Sequence, residues 1–445
     1  MKLQIKLKKK LNNFNKSIVI DGDKSISIRS LLLASQSYGK CTIKNLVSSE
    51  DIISTIKGLK RLGVNIIFNQ KNCVVYGNGI NGFNYKKNIT INAGNSGTFA
   101  RLILALLIKS PNSIKLIGDK SLSKRDFDRI VQPLQKFGAK FDTSRNKGLP
   151  LKIIGTEYLK PIHYIEKRGS AQCKSAVMLA ALNTPGTTKI LAKKSRDHTE
   201  IMYKYLNIPI KIKSKKKFDQ IEVTGQKNFK SFNYSVPSDP SSCAFFIVLT
   251  ILSKNSKLLI KNVNINQSRI GYIRILNKMG AKIKIKNVQK KYGEKIGDIY
   301  VKSQKNLKKI NCPTDLNSNL IDEFLIIFLV AAKARGVSYF SKIGELNKKE
   351  SPRLKIGSEI LKKIGIKNEL TKDSIKIYGN PDIQIKKKIF ITNYLKDHRI
   401  LMTSVIASLV LGGNWIINDA NSFKSSFPSF LKILKKMGYK FSFLR

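Results

Sequence analysis

A chain of 445 residues exceeds a single ordinary core and suits two or three domains. Its 42% hydrophobic and 8% aromatic content excludes an intrinsically disordered chain. The formal charge of +55 invites nucleic acid, anionic membrane or another polyanion, yet only 14 of the 83 basic residues are arginine, and the lysines run through every segment without interleaved aromatics, as a coding bias toward A and T would produce.

Cys41, Cys73, Cys173, Cys243 and Cys312 lie far apart, with no C-x-x-C pair and no histidine cluster nearby, so neither a zinc site nor a disulfide framework is indicated. The N-terminal MKLQIKLKKKLNNFNKS is basic but lacks the apolar stretch of a signal peptide. The longest apolar run, LIIFLVAA at 325 to 332, is too short to span a bilayer. A reducing, cytoplasmic setting with no membrane partner is expected.

Two kinds of segment alternate in chain order. The first kind comprises DKSISIRSLLLAS (23 to 35), GNSGTFARLILALL (94 to 107), GSAQCKSAVMLAAL (169 to 182), SDPSSCAFFIVLTIL (238 to 252), DLNSNLIDEFLIIFLVAA (315 to 332) and DHRILMTSVIASLVL (397 to 411). Each starts with Ser, Gly, Asn or Asp and turns apolar on nearly every face, which predicts an interior helix whose only wet end is its beginning. Between them come GLKRLGVNII, PLQKFGAKFD, YKYLNIPIKI, ILNKMGAKIKI, ILKKIGIKNEL and ILKKMGYKFSF, with Gly63, Gly138, Asn207, Gly280, Gly365 and Gly438 in equivalent places. These read as the last turn of an amphipathic helix, a left-handed C′ residue and an alternating strand.

Six units of about seventy residues follow, each strand, buried helix, strand, surface helix, Gly cap, strand. Six buried helices exceed one small core, so the expected α/β architecture has two lobes of three units, helices inside and sheets outside. VPSDP at 236 to 240 marks the boundary. If the buried helices of each lobe aim their N-termini at the other lobe, six positive dipole ends define an anion site in the cleft.

Lys24, Ser25 and Arg29 lie at one such entry, where cations and hydroxyls complement helix N–H groups in holding phosphate or carboxylate; plain N-capping by serine is the simpler alternative. The scarce arginines also appear at Arg101, Arg125, Arg196, Arg353 and Arg399, near helix starts or beside carboxylates, and His198 and His398 fall in the same stretches. Lysine supplies generic charge, and arginine the planar fork that grips anions.

Ten motifs in order now carry a resemblance: GDKSISIR, AGNSGTFARL, GDKSLSKR, SAQCKSA, KSRDHTE, PSDPSSCAFF, IDEF, KKESPR, DHRI and SSFPSF. Over nearly its whole length the chain resembles the EPSP synthase family. The resemblance implies a two-domain inside-out α/β barrel of six βαβαββ-type repeats, three per domain, with residues 1–20 and 236–445 forming one lobe, 21–235 the other, and the active site in the interdomain cleft. It further implies transfer of the enolpyruvyl group of phosphoenolpyruvate to the 5-hydroxyl of shikimate 3-phosphate, in the route to chorismate and aromatic amino acids.

Carried over by position, the resemblance gives Lys24, Ser25, Arg29, Ser170, Ala171, Gln172, Arg196, Asp322 and Lys349 as shikimate 3-phosphate ligands. It gives Lys24, Gly97, Arg125, Gln172, Arg353 and Arg399 as phosphoenolpyruvate ligands. Asp322 and Lys24 would handle the proton of the hydroxyl and Glu350 the proton at C3, or the carboxylates would exchange those roles. Fixed cations stabilise the phosphate and carboxylate charges, so neither metal nor organic cofactor is expected, and the partners are the two small acids, with no specific nucleic acid and a monomeric chain. Glyphosate occupies the phosphoenolpyruvate position in this family, so Gly97 is also expected to govern its binding.

Five positions depart from the family pattern: Asp126 after Arg125, Pro352 before Arg353, Leu325 after IDEF, Ile28 within DKSISIR, and Ser425 where another class has lysine. The related transfer to UDP-N-acetylglucosamine would need a K-N opening and a reactive cysteine on a mobile loop. Here Ser25 follows Lys24, and GDKSLSKR contains no cysteine. A nucleic-acid-binding protein remains the alternative suggested by charge alone.

Overall fold

The computed structural model describes residues 3–110, 112–143 and 147–444. The interior helices span Lys24–Gln36, Gly97–Leu106, Ala171–Leu182, Pro240–Leu252, Phe324–Ala332 and His398–Leu411. Five begin at an acceptor side chain: Asp23, Ser96, Ser170, Asp239 and Asp397 accept from the amides of Ile26, Phe99, Cys173, Ser241 and Arg399. Each such cap supplies one of the orphan amides with a partner, worth about 1 kcal/mol.

The fifth helix departs from expectation. It begins at Phe324, not near Asp315, and Thr314–Asn319 forms a 3-10 turn. Asn317 donates there to the carbonyls of Ser341 and Lys342, and such side chains compete with helical hydrogen bonding. The helix that does form is buried along all nine residues.

Gly63, Gly138, Asn207, Gly280, Gly365 and Gly438 all have positive φ, and each follows the C-cap of a surface helix. Beyond them, the amides of Val64, Ile208, Ala281, Ile366 and Tyr439 reach back to the carbonyls of Leu59, Tyr203, Leu276, Leu361 and Leu434, closing the helices as Schellman motifs.

The chain divides into two compact units, one of Gly22–Val236 with Lys291–Glu294, the other of Met1–Asp21, Pro237–Lys290 and Lys295–Arg445. In the first, three four-stranded sheets surround three interior helices. His163–Glu166 runs parallel to Thr187–Lys193, which pairs antiparallel with Phe218–Thr224, and Ile210–Ser214 lies at the edge. Thr187–Lys193 alternates between buried and more exposed residues, as a sheet with one face on the core should.

The second unit has its own continuous core. Its strand Asn15–Val19 runs parallel to Lys257–Asn264, whereas Asn233–Ser235 of the first unit runs parallel to Tyr38–Lys44. Thus the strand before the first interior helix serves the fourth repeat, and the strand before the fourth helix serves the first. Gln4–Leu7 completes the sixth repeat between Asn414–Ile417 and Ser442–Leu444.

The fifth repeat corrects the uniform βαβαββ expectation: its sheet has three strands, and the chain ahead of its helix makes only the bridges Lys308 to Arg335 and Asn311 to Tyr339. Pro313, which lacks an amide hydrogen, stops that segment. Among the described residues no helix is long and apolar enough to cross a membrane.

Candidate active site

In the first unit, Lys24 opens the first interior helix, where Asp23 satisfies an early amide and leaves the next residues to present their side chains. Its Nζ lies 2.8 Å from Asp51 Oδ2. One turn later, buried Arg29 donates from Nη1 to the Ser25 carbonyl at 3.0 Å, from Nε to Thr199 Oγ1 at 2.9 Å and from Nη2 to Ser175 Oγ at 3.0 Å. Ser25 itself is half-buried.

The second and third helix entries are joined by side chains. Gln172 donates to Thr98 Oγ1 at 2.9 Å and accepts from Arg101 Nη1 at 2.9 Å. Arg125 donates to Asn95 Oδ1 at 2.6 Å. A methyl group on Gly97 would lie 2.8 Å from Arg125 Nη1 and 3.0 Å from Arg101 Nη1, so the absence of a side chain lets two guanidinium groups approach this helix end. Arg101 also sits 5.3 Å from the centroid of the buried Phe127 ring.

Ser170 caps the third entry and Ala171 is its first helical residue. Glu166 accepts the Gly169 amide at 2.5 Å and the Ser170 amide at 2.9 Å, fixing the loop ahead of them. Arg196 is half-buried just before the helix His198–Tyr205. Among the described residues, no three His, Cys, Asp or Glu side chains are grouped as a metal would require.

The second unit builds its charged cluster around Arg353, the first residue of the helix Arg353–Lys363 and 1% exposed. Nε donates to Asp397 Oδ2 at 2.8 Å, Nη2 to Glu350 Oε2 at 2.5 Å, and Nη1 to Asp322 Oδ1 at 3.3 Å. Lys349 Nζ stands 3.6 Å from the same Asp322 oxygen, and Arg399 donates to the Asp322 carbonyl at 2.8 Å. Burial works against the Arg353 charge, but the three carboxylates outweigh it and hold the guanidinium further above its usual range. Burial pushes Asp397 upward and Glu350 adds to it, but the charges of Arg353 and His398 and the Arg353 hydrogen bonds together outweigh both, leaving that carboxyl below the ordinary aspartate range.

The departures from the family pattern have local accommodations. Asp126 is exposed and accepts the Asp128 amide at 2.8 Å, so its carboxylate is used within its own turn. Pro352 brings no capping side chain, and Asn347 Oδ1 instead accepts the amides of Leu354 and Lys355. Ile28 and Leu325 are core residues. Ser425 donates to the Ser422 carbonyl in a short 3-10 turn.

Gly97, Arg125 and Gln172 thus share one network in the first unit; Asp322, Lys349, Glu350, Arg353 and Arg399 share one in the second. Asp51, Asn95, Thr98, Ser175, Thr199 and Asp397 were absent from the sequence-derived set. All but Asp51 lay in the motifs, Asn95 and Thr98 in AGNSGTFARL, Ser175 in SAQCKSA, Thr199 in KSRDHTE and Asp397 in DHRI. Arg101 did too, as a rare arginine four residues after Gly97.

The EPSP synthase (3-phosphoshikimate 1-carboxyvinyltransferase) family model matches residues 8–434. A 3-phosphoshikimate 1-carboxyvinyltransferase of Ruthia magnifica subsp. Calyptogena magnifica is 40% identical, with 97% of each chain covered; that of Streptococcus pyogenes serotype M1 is 36% identical, with 98% of this chain and 99% of the other covered. The EPSP synthase of Acinetobacter baumannii superposes with a TM-score of 0.86 at 31% identity over 100% of both chains. The enolpyruvyl transferase NikO from Streptomyces tendae gives a TM-score of 0.77 over 100% of this chain and 99% of its own; at 12% identity that likeness speaks to the fold, the two-domain inside-out α/β barrel. With its helix entries, its arginine networks and these full-length likenesses in agreement, the chain belongs to the EPSP synthase family.

Proposed function

We propose that the two charged networks serve one reaction, the transfer of the enolpyruvyl group from phosphoenolpyruvate to the 5-hydroxyl of shikimate 3-phosphate. The two compact units are the two lobes, and each contributes ligands to the substrates. Lys24, Ser25, Arg29, Ser170, Ala171, Gln172 and Arg196 from one lobe, with Asp322 and Lys349 from the other, hold shikimate 3-phosphate. Lys24, Gly97, Arg125, Gln172, Arg353 and Arg399 hold phosphoenolpyruvate. The enzyme works as a cytoplasmic monomer.

Asp322 takes the proton as the 5-hydroxyl oxygen bonds to C2 of phosphoenolpyruvate, while Glu350 delivers a proton to C3. The resulting tetrahedral ketal phosphate loses a C3 proton and expels phosphate, which restores the double bond as the enolpyruvyl ether. Cations fixed before substrate arrives stabilise the charge that moves onto the departing phosphate without reorganising. Lobe closure excludes water from the pair.

The observation that carries this assignment is the meeting of Lys349, Arg353 and Arg399 with Asp322 and Glu350, because cations and carboxylates for both proton transfers stand together. Transfer to UDP-N-acetylglucosamine is not favoured. All five cysteines are buried, and burial pushes the Cys73 thiol up to about 12 and Cys312 to about 11, which leaves them protonated.

Phosphate release from phosphoenolpyruvate, measured with each acceptor in turn, tests the assignment. Release with shikimate 3-phosphate alone is expected; release only with the nucleotide sugar would overturn it. Tight binding to random DNA at about 0.2 M salt, with no phosphate released, would instead favour a nucleic-acid-binding protein.

A further inference from the structure

A guanidinium carries five N–H donors in a rigid plane, so whichever partners grip its Nε edge decide where the rest of the charge points. In Arg29 that edge is taken by two hydroxyls, Thr199 Oγ1 on Nε at 2.9 Å and Ser175 Oγ on Nη2 at 3.0 Å, themselves 2.7 Å apart. Two oxygens so placed imitate the paired oxygens of a carboxylate and bring no negative charge of their own. We propose that Thr199 and Ser175 are positioning residues that fix the plane of Arg29 for the anionic substrate, an inference that rests on Arg29 being a shikimate 3-phosphate ligand.

The hydroxyls are themselves held in place. Ser175 lies in the helix Ala171–Leu182 and Thr199 in His198–Tyr205. Lys174 and Glu200, the adjoining residues, form an ion pair of 2.5 Å at 0% and 5% side-chain exposure. Tyr203 adds a bond from its hydroxyl to the Met178 carbonyl at 3.0 Å. Two rungs between these two helices therefore set the hydroxyl pair, and the first interior helix brings Arg29 to it. A residue that merely satisfied a buried guanidinium would affect folding alone; a positioning pair also changes how well one substrate is bound.

Thr199→Val keeps the side-chain shape and removes the hydroxyl. It is expected to raise KM for shikimate 3-phosphate about tenfold, while kcat and KM for phosphoenolpyruvate change less than about threefold. Thr199→Ser should restore the parent value. Ser175→Ala should repeat the effect from the other helix and decides the matter if Thr199→Val does not fold. Arg29→Ala is the control. If it leaves KM for shikimate 3-phosphate unchanged, Arg29 is no ligand and the proposal falls with that assignment. If it raises that KM but folded Thr199→Val and Ser175→Ala do not, Arg29 stands as a ligand and the positioning role is overturned.

Discussion

Arg353 and Asp397 meet edge to edge, with Nε 2.8 Å from Oδ2 and Nη2 3.2 Å from Oδ1, and both side chains are buried. Asp397 also accepts the Arg399 amide at 2.9 Å and the Ser351 hydroxyl at 2.8 Å. One carboxylate thereby sets the guanidinium, a helix start and the loop carrying Lys349 and Glu350.

Because Asp397 is held below the ordinary aspartate value of 3.8, its contribution to stability is full above that pH and is lost as the pH falls through the lower folded-state value. Asp397→Asn should cost about 3 kcal/mol at neutral pH, since it leaves a buried guanidinium short of a charged partner. Urea unfolding of both proteins from pH 7 downward should show a constant gap that closes only below about pH 4. A gap that stays the same through pH 3 and below would contradict the assignment.

The crowding at Gly97 predicts an altered inhibitor response. In Gly97→Ala the new methyl group must displace the ends of Arg125 and Arg101, both flexible, so the protein should fold normally. Half-inhibition by glyphosate should require at least about tenfold more compound, with a smaller rise in KM for phosphoenolpyruvate. Equal inhibition of the parent and the variant would refute the role given to Gly97.

Asp322→Asn removes the proposed base while retaining a side chain of similar size. Turnover should fall by about two to four powers of ten, whereas the dissociation constant for shikimate 3-phosphate, measured calorimetrically, should change by less than about tenfold. Glu350→Gln should show the same pattern with a smaller loss of stability than Asp397→Asn, because Glu350 is more exposed than Asp397. Parent-like turnover in either variant would remove that residue from the proton transfers.

Thr403 offers a test away from the chemistry. Among the described residues its buried hydroxyl has no hydrogen-bond partner, and it stands beside a small apolar cavity lined by Leu325, Phe328, Ile400 and Ala407. A single hydroxyl gives a water too few partners to remain there. Thr403→Val should therefore stabilise the protein by about 1 kcal/mol, a rise in Tm of about 2 °C at unchanged kcat. A fall in Tm would show that the hydroxyl has a partner.

The repeats and interior helices were legible because they are written locally. A left-handed C′ residue after a cationic last turn, and an apolar run behind a capping residue, need no tertiary information. Strand exchange between the first and fourth repeats was less so, since nothing in Asn15–Val19 itself names Lys257–Asn264 as its partner. The same limit explains the site. Lys24, Arg125 and Arg353 could be picked out as rare or motif-borne charges, but Asn95 and Ser175 are ordinary polar residues that acquire a role only when folding sets a guanidinium beside them, as Thr98 does when it receives the Gln172 amide.

A crystal structure with shikimate 3-phosphate bound is the most direct test of the single shared site. One molecule contacted by Lys24, Arg29 and Gln172 and also by Asp322 and Lys349 is expected. A ligand held by only one of these sets, with the other facing solvent, would contradict it.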